Sequence, residues 1–153
     1  MTLQIFRLLQ LCVTIVLASQ GIFYLLGLGE AVKALSVPAF AELRNAIDNA
    51  IAGRLRFLYY TAILLGVIVL ALSFEQYHSL SFWCTAIAVL LTLSDILLAV
   101  KYNLPINKMF KSYPEDSIPW QNLQAEWIRF IIIRGVLITL ALLSQLLIMI
   151  QPT

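Results

Sequence analysis

An all-α fold, a polytopic membrane four-helix bundle, is predicted by three observations on the 153-residue sequence: 61% of its residues are hydrophobic, 12% are charged, and four separate apolar stretches recur along it. A soluble domain carries roughly 25% charged residues, and the mean hydropathy here is +0.92. Crossing a hydrocarbon core of about 30 Å takes about 17 to 25 mainly apolar residues. Residues 8–28, 57–74, 82–100 and 130–150 meet that requirement. No linker, low-complexity tract or internal repeat divides the chain, so residues 1–153 read as a single four-span transmembrane domain.

The first span has the outline of a signal peptide, with Arg7 ahead of an apolar run that reaches Ala18 and Ser19. The apolar character continues through Gly27, so a retained helix is expected. An amphipathic extension precedes the second span: after Pro38, Phe40, Leu43, Ile47 and Ile51 recur at helical spacing, while Glu42, Arg44, Asp48 and Asn49 fall mostly elsewhere. It either lies in the interface or runs through Gly53 into the second span as one long helix. The third span is expected to end at Pro105, with the Asn103 and Asn107 side chains bonding the carbonyls that a helix C-terminus leaves free. Between the third and fourth spans, Pro114, Glu115, Asp116, Pro119 and Trp120 read as a Pro-rich cytoplasmic lid. Gly21, Gly27 and Gly29 mark expected close helix contacts.

Charge bias orients the bundle. Lys33, Arg44, Arg54 and Arg56 lie in the first connection and Lys101, Lys108, Lys111 and Arg129 in the third, whereas the opposite side has only Arg7 and the terminal amine. By the positive-inside rule both connections are cytoplasmic and both termini non-cytoplasmic, as in an integral protein of a bacterial inner membrane. The net charge of +2 argues against a nucleic-acid partner. With one histidine, His78, and two cysteines, Cys12 and Cys84, no metal centre or cofactor is expected. A disulfide between the two cysteines fits their similar depth, but apolar packing is the plainer role for each.

An ionisable side chain near a helix centre costs about 2.5 to 3.5 kcal/mol and normally faces the bundle interior with a partner. At a rise of 1.5 Å per residue, Asp95 lies roughly 6 Å and Arg134 roughly 9 Å from the midplane, on the side of the two long connections. Gln20, Tyr24, Tyr59 and Tyr60 reach a similar level. Glu126, Phe130 and Arg134 share a face that continues to Gln145, and Asp95 shares one with Tyr102. With Asn49 and Arg56, these groups would line a pocket walled by Tyr113, Trp120 and Trp127. The alternative is an Asp95–Arg134 ion pair that fixes helix register and does no chemistry.

The stretch Asn103-Leu104-Pro105-Ile106-Asn107, followed by Trp127 and, seven residues on, Arg134, resembles the four-span membrane family typified by fungal anthrone oxygenases, which has many bacterial members. The shared motifs cover about residues 100 to 140, and the four-span layout covers the whole chain. Glu30 at the end of the first helix and the Lys- and Pro-rich lid depart from the family's pattern. The resemblance implies binding or oxidation of a flat hydrophobic aromatic, anthrone- or quinone-like, without a metal. In that chemistry Asp95 would be the base and Arg134 the oxyanion partner. Tyr24, Tyr60, Tyr102, Asn103, Asn107 and Trp127 would form the ligand pocket. The competing reading is a non-catalytic accessory or structural subunit, since the chain has little extramembrane mass and no ligand set for a bound cofactor. The partners expected are the lipid bilayer and a hydrophobic small molecule, or else other membrane subunits or further copies of the chain. A transporter is less favoured, because no charge-rich stripe runs from side to side.

Overall fold

The computed structural model describes residues 1–113 and 118–150, and within them all regular structure is helical. Helix α1 (Thr2–Phe23) passes through a π-helical turn, Tyr24–Leu28, into α2 (Gly29–Lys33). Helix α3 spans Val37–Leu72. Helix α4 (Leu80–Leu98) passes through a second π turn, Ala99–Asn103, into α5 (Leu104–Phe110), and α6 spans Trp120–Ile150. The four resulting runs, Thr2–Lys33, Val37–Leu72, Leu80–Phe110 and Trp120–Ile150, are each long and apolar enough to cross a membrane. Each packs against two others to close a ring in the order first, second, third, fourth, first.

The runs outreach the apolar stretches from which they are predicted. Helix α3 has 36 residues, about 54 Å at 1.5 Å per residue, well beyond a 30 Å hydrocarbon core. Pro38 sits in its first turn, where a missing N–H costs nothing, and the helix passes through Gly53 unbroken. The amphipathic extension is therefore continuous with the second span. Its inward stripe differs from the predicted one: Phe40, Ala41 and Arg44 are buried, Ile47, Asp48 and Ile51 are partly buried, and Leu43 is exposed. Arg44 lies four residues after Phe40 and seven before Ile51, at the centre of the stripe.

Pro105 does not end the third run. The π turn before it carries the Leu104 N–H to the Ala99 carbonyl, one residue wider than an α-turn, and Pro105 then occupies the first turn of α5. The widened turn accommodates a ring that would clash in a regular helix. Nor do Asn103 and Asn107 cap that end. The Phe110 carbonyl accepts from Asn45 Nδ2 at 3.0 Å, and Gln124 Nε2 donates to the carbonyls of Val32 and Leu35 at 3.3 and 3.0 Å. Amides borrowed from α3 and α6 thus satisfy helix-end carbonyls at the end of the bundle that carries the connections. Of the lid, Pro114, Glu115 and Asp116 lie outside the described residues. Tyr113 and Trp120 pack ring to ring at 5.1 Å, with Phe110 against Trp120 at 5.3 Å.

Two apolar clusters fill the interior. Toward the connections, Tyr24, Phe40, Phe110 and Trp127 interlock edge to face; toward the termini, Ala18, Ala62, Ala88 and Ala141 let the helices approach closely around Leu17 and Ile138. Cys12 is exposed and Cys84 buried, and they are not bonded. Among the glycines singled out, a Cβ on Gly21 would lie 2.6 Å from Gly135 Cα, and one on Gly29 2.9 Å from the Tyr24 carbonyl. Gly27 makes no close contact; its φ of 151° is the kink in the first π turn.

Gly21→Ala is therefore expected to lower thermal stability in detergent markedly by wedging α1 from α6. Gly53→Ala, with open space around the position, is expected to hold or raise it by about 0.5–1 kcal/mol. Equal losses at both positions would contradict this packing.

Candidate functional site

Between the two apolar clusters lies a polar layer assembled from three helices. Asp95 on α4 is completely buried. Its Oδ1 accepts from Arg134 Nε on α6 at 2.5 Å, and its Oδ2 accepts from the Tyr59 hydroxyl on α3. Arg134 Nη2 also donates to the Tyr59 oxygen at 3.2 Å, and Nη1 to Asn103 Oδ1 at 3.3 Å. Three of its five N–H donors are thus engaged. Asp95 and Arg134 pair across the third and fourth runs as the sequence predicts. Tyr59 completes the triad, one residue from the Tyr60 chosen by sequence.

Asn103 links this triad to a second polar set nearer the connections. Its Nδ2 donates to the Trp127 carbonyl at 3.2 Å, Trp127 Nε1 donates to Asn107 Oδ1 at 2.7 Å, and Asn107 Nδ2 reaches Asp48 Oδ1 at 3.5 Å. Asp48 pairs with Lys111 at 3.1 Å and stands 3.9 Å from Arg44 Nη2. The Arg44 guanidinium lies over the Trp127 ring, 4.6 Å from its centroid. The element Asn103-x-Pro105-x-Asn107 therefore organises a hydrogen-bonded wall, and the π turn aims it inward.

Both polar sets border a cavity of about 210 Å³. Helix α3 meets α4 and α5 on either side of the second π turn, and the cavity opens between them there. Exposed Arg56, Tyr60, Val100 and Leu104 edge the mouth; Ile51, Leu55 and Ile96 form apolar walls; Tyr59, Trp127 and Arg134 lie deeper. The mouth faces sideways through the flank of the bundle.

The predicted site residues divide accordingly. Arg134, Asn103, Asn107, Trp127 and Tyr60 line the cavity, Tyr60 only at its edge, 67% exposed. Asp95 stands behind Tyr59 and Arg134, with both oxygens engaged. Tyr24 is buried against the Trp127 ring at 5.9 Å, outside the cavity lining. Tyr102 stacks on Phe130 at 3.8 Å and also lies off the cavity. Of the pocket's expected walls only Trp127 serves, since Tyr113 and Trp120 line a separate shallow depression. Arg56 borders the cavity, while Asn49 is exposed and does not.

Toward the termini, Gln145 Nε2 donates to Thr14 Oγ1 at 3.0 Å, joining α6 to α1 on the face that Arg134 begins. Among the described residues no three of His, Cys, Asp and Glu come together as metal ligands. No family model, curated protein or solved structure matches the chain.

Arg134→Met leaves Asp95 as an uncompensated buried carboxylate and is expected to cost about 3–5 kcal/mol. Asp95→Leu combined with Arg134→Met is expected to recover much of that loss. Additive losses in a double-mutant cycle, read from equilibrium unfolding in a bilayer mimic, would show the pair to be uncoupled.

Proposed function

We propose that the chain binds a flat hydrophobic ring compound, an anthrone- or quinone-like ketone or phenol, that reaches the cavity sideways from the lipid. One observation carries this reading: an apolar crevice in the flank of the bundle has Arg134 N–H donors and the Tyr59 oxygen on its inner wall. Such a combination, mostly apolar with few placed polar groups, is what ligand pockets have in common. The volume, about 210 Å³, is below the roughly 300–1,000 Å³ that encloses a drug-sized ligand, which suits a few fused rings with one edge left in the lipid. The charge bias of the connections supports a mouth in the cytoplasmic half of the membrane.

The resemblance to anthrone oxygenases extends the proposal to chemistry. With the ring oxygen held by Arg134, a ring CH proton passes to the Tyr59 oxygen as the Tyr59 hydroxyl proton passes to Asp95 Oδ2. Arg134 stabilises the resulting enolate oxygen. Dioxygen then adds to the carbanionic carbon; one oxygen atom stays as the new carbonyl and the other leaves as water, converting anthrone to anthraquinone. Asp95 is in this scheme the final proton acceptor, acting through Tyr59.

The test is turnover of anthrone by the protein in nanodiscs, followed by quinone absorbance and oxygen uptake against empty discs. Wild type is expected to exceed the empty-disc rate, and both Asp95→Asn and Tyr59→Phe to lose about 10²–10⁴-fold while anthraquinone still binds. Ala99→Trp, which fills the cavity, is expected to abolish binding. If no ring compound binds and the chain instead extracts with stoichiometric protein partners, the accessory-subunit reading replaces this one.

A further inference from the structure

The end of the cavity nearer the connections is electrically unbalanced. Arg44 is 7% exposed and lines the cavity, yet its Nε donor has no hydrogen-bond partner. A buried donor without a partner is costly, and native proteins leave few of them. Its nearest carboxylate, Asp48, stands 3.9 Å from Nη2, beyond hydrogen-bond reach, and is shared with Lys111 at 3.1 Å. Arg56, at the mouth of the same cavity, has no ion pair among the described residues. At the outer end two cations, Arg44 and Lys111, thus share one carboxylate. Deeper in, Arg134 is matched by Asp95, so the surplus is local to the outer end.

From this we infer that the cavity contains an anion subsite, centred on Arg44, that takes a carboxylate or phosphate group attached to the apolar body in the crevice. The inference rests on the reading of the cavity as a ring-binding site and narrows the ligand class to acidic amphiphiles. Arg44 is held in place for such a role. Its guanidinium lies against the Trp127 ring, and Trp127 is fixed in turn by its hydrogen bond to Asn107. A guanidinium so oriented presents its fork to an oxyanion with little loss of side-chain freedom. Arg56 lies twelve residues further along α3, at the mouth.

The experiment compares anthraquinone-2-carboxylate with uncharged anthraquinone, binding to the full chain in zwitterionic-lipid nanodiscs. The expected result is a preference for the carboxylate of about tenfold or more in wild type. Arg44→Gln should reduce that preference at least threefold by weakening carboxylate binding more than anthraquinone binding, and Asp48→Asn, which removes the carboxylate beside Arg44, should raise it. Asp48→Asn leaves Arg44 in place, so it keeps the test open if Arg44→Gln fails to fold. Adding phosphatidylglycerol separates the two sources of the anion: competition with the carboxylate assigns the subsite to a lipid headgroup, and a persisting preference assigns it to the ligand. Equal binding of both compounds, indifferent to either substitution, would overturn the anion subsite and leave the ring-binding reading standing. Binding of neither compound would overturn both.

Discussion

Asp95 and Arg134 place a carboxylate and a guanidinium where a bilayer offers neither water nor counterions, and the arrangement of the four helices follows from satisfying them. Each charge alone costs several kcal/mol at this depth. Paired at 2.5 Å, with Tyr59 and Asn103 taking further hydrogen bonds, they become tolerable only if α3, α4 and α6 keep one register. That requirement explains why the polar layer lies between two apolar clusters instead of spreading along the helices. It also fixes the level at which the second and third runs part to form the cavity.

The π turn at Ala99–Asn103 is the other half of this arrangement. In a regular helix Pro105 would force a break, and Asn103 would be turned away from its present direction. The wider turn carries the helix through the proline, brings Asn103 between Arg134 and the Trp127 carbonyl, and opens the flank beside α3. Local backbone irregularity and the polar network are therefore one feature. Wide turns of this kind are frequent at functional sites, and this one forms a wall of the crevice to which both polar sets contribute.

Much of the fold was legible in the sequence because membrane solvent makes composition nearly sufficient: a run such as Phe130–Ile150 has no alternative to a helix in lipid. The Asp95–Arg134 pairing was legible for the same reason, since two rare charges at matching depth need one another. What composition did not specify was rotation and continuity. Tyr59 and Tyr60 are neighbours on a helix, 100° apart, and depth alone does not choose between them. Arg44 counts by its charge among the polar residues that fall mostly off the apolar stripe, yet its spacing from Phe40 and Ile51 puts it at the centre of the buried stripe. A proline usually stops a helix, and the accommodation of Pro105 depends on a widened turn that no residue type announces. Tyr24 and Tyr102 lie at the right height but face other rings, so height was a necessary and not a sufficient criterion.

The central claim is that a ring compound occupies the flank crevice with its oxygen toward Tyr59 and Arg134, and its most direct test is photolabelling in nanodiscs. Anthraquinone is itself photoreactive and abstracts hydrogen from the side chains it touches. Adducts confined to the crevice, on Ile51, Leu55 and Ile96, and displaced by unreactive fused-ring competitors, are the expected result. Labelling spread over outward-facing residues such as Leu64, Leu90 and Leu97, with no effect of competitor, would contradict it and leave the polar layer as a device for packing helices.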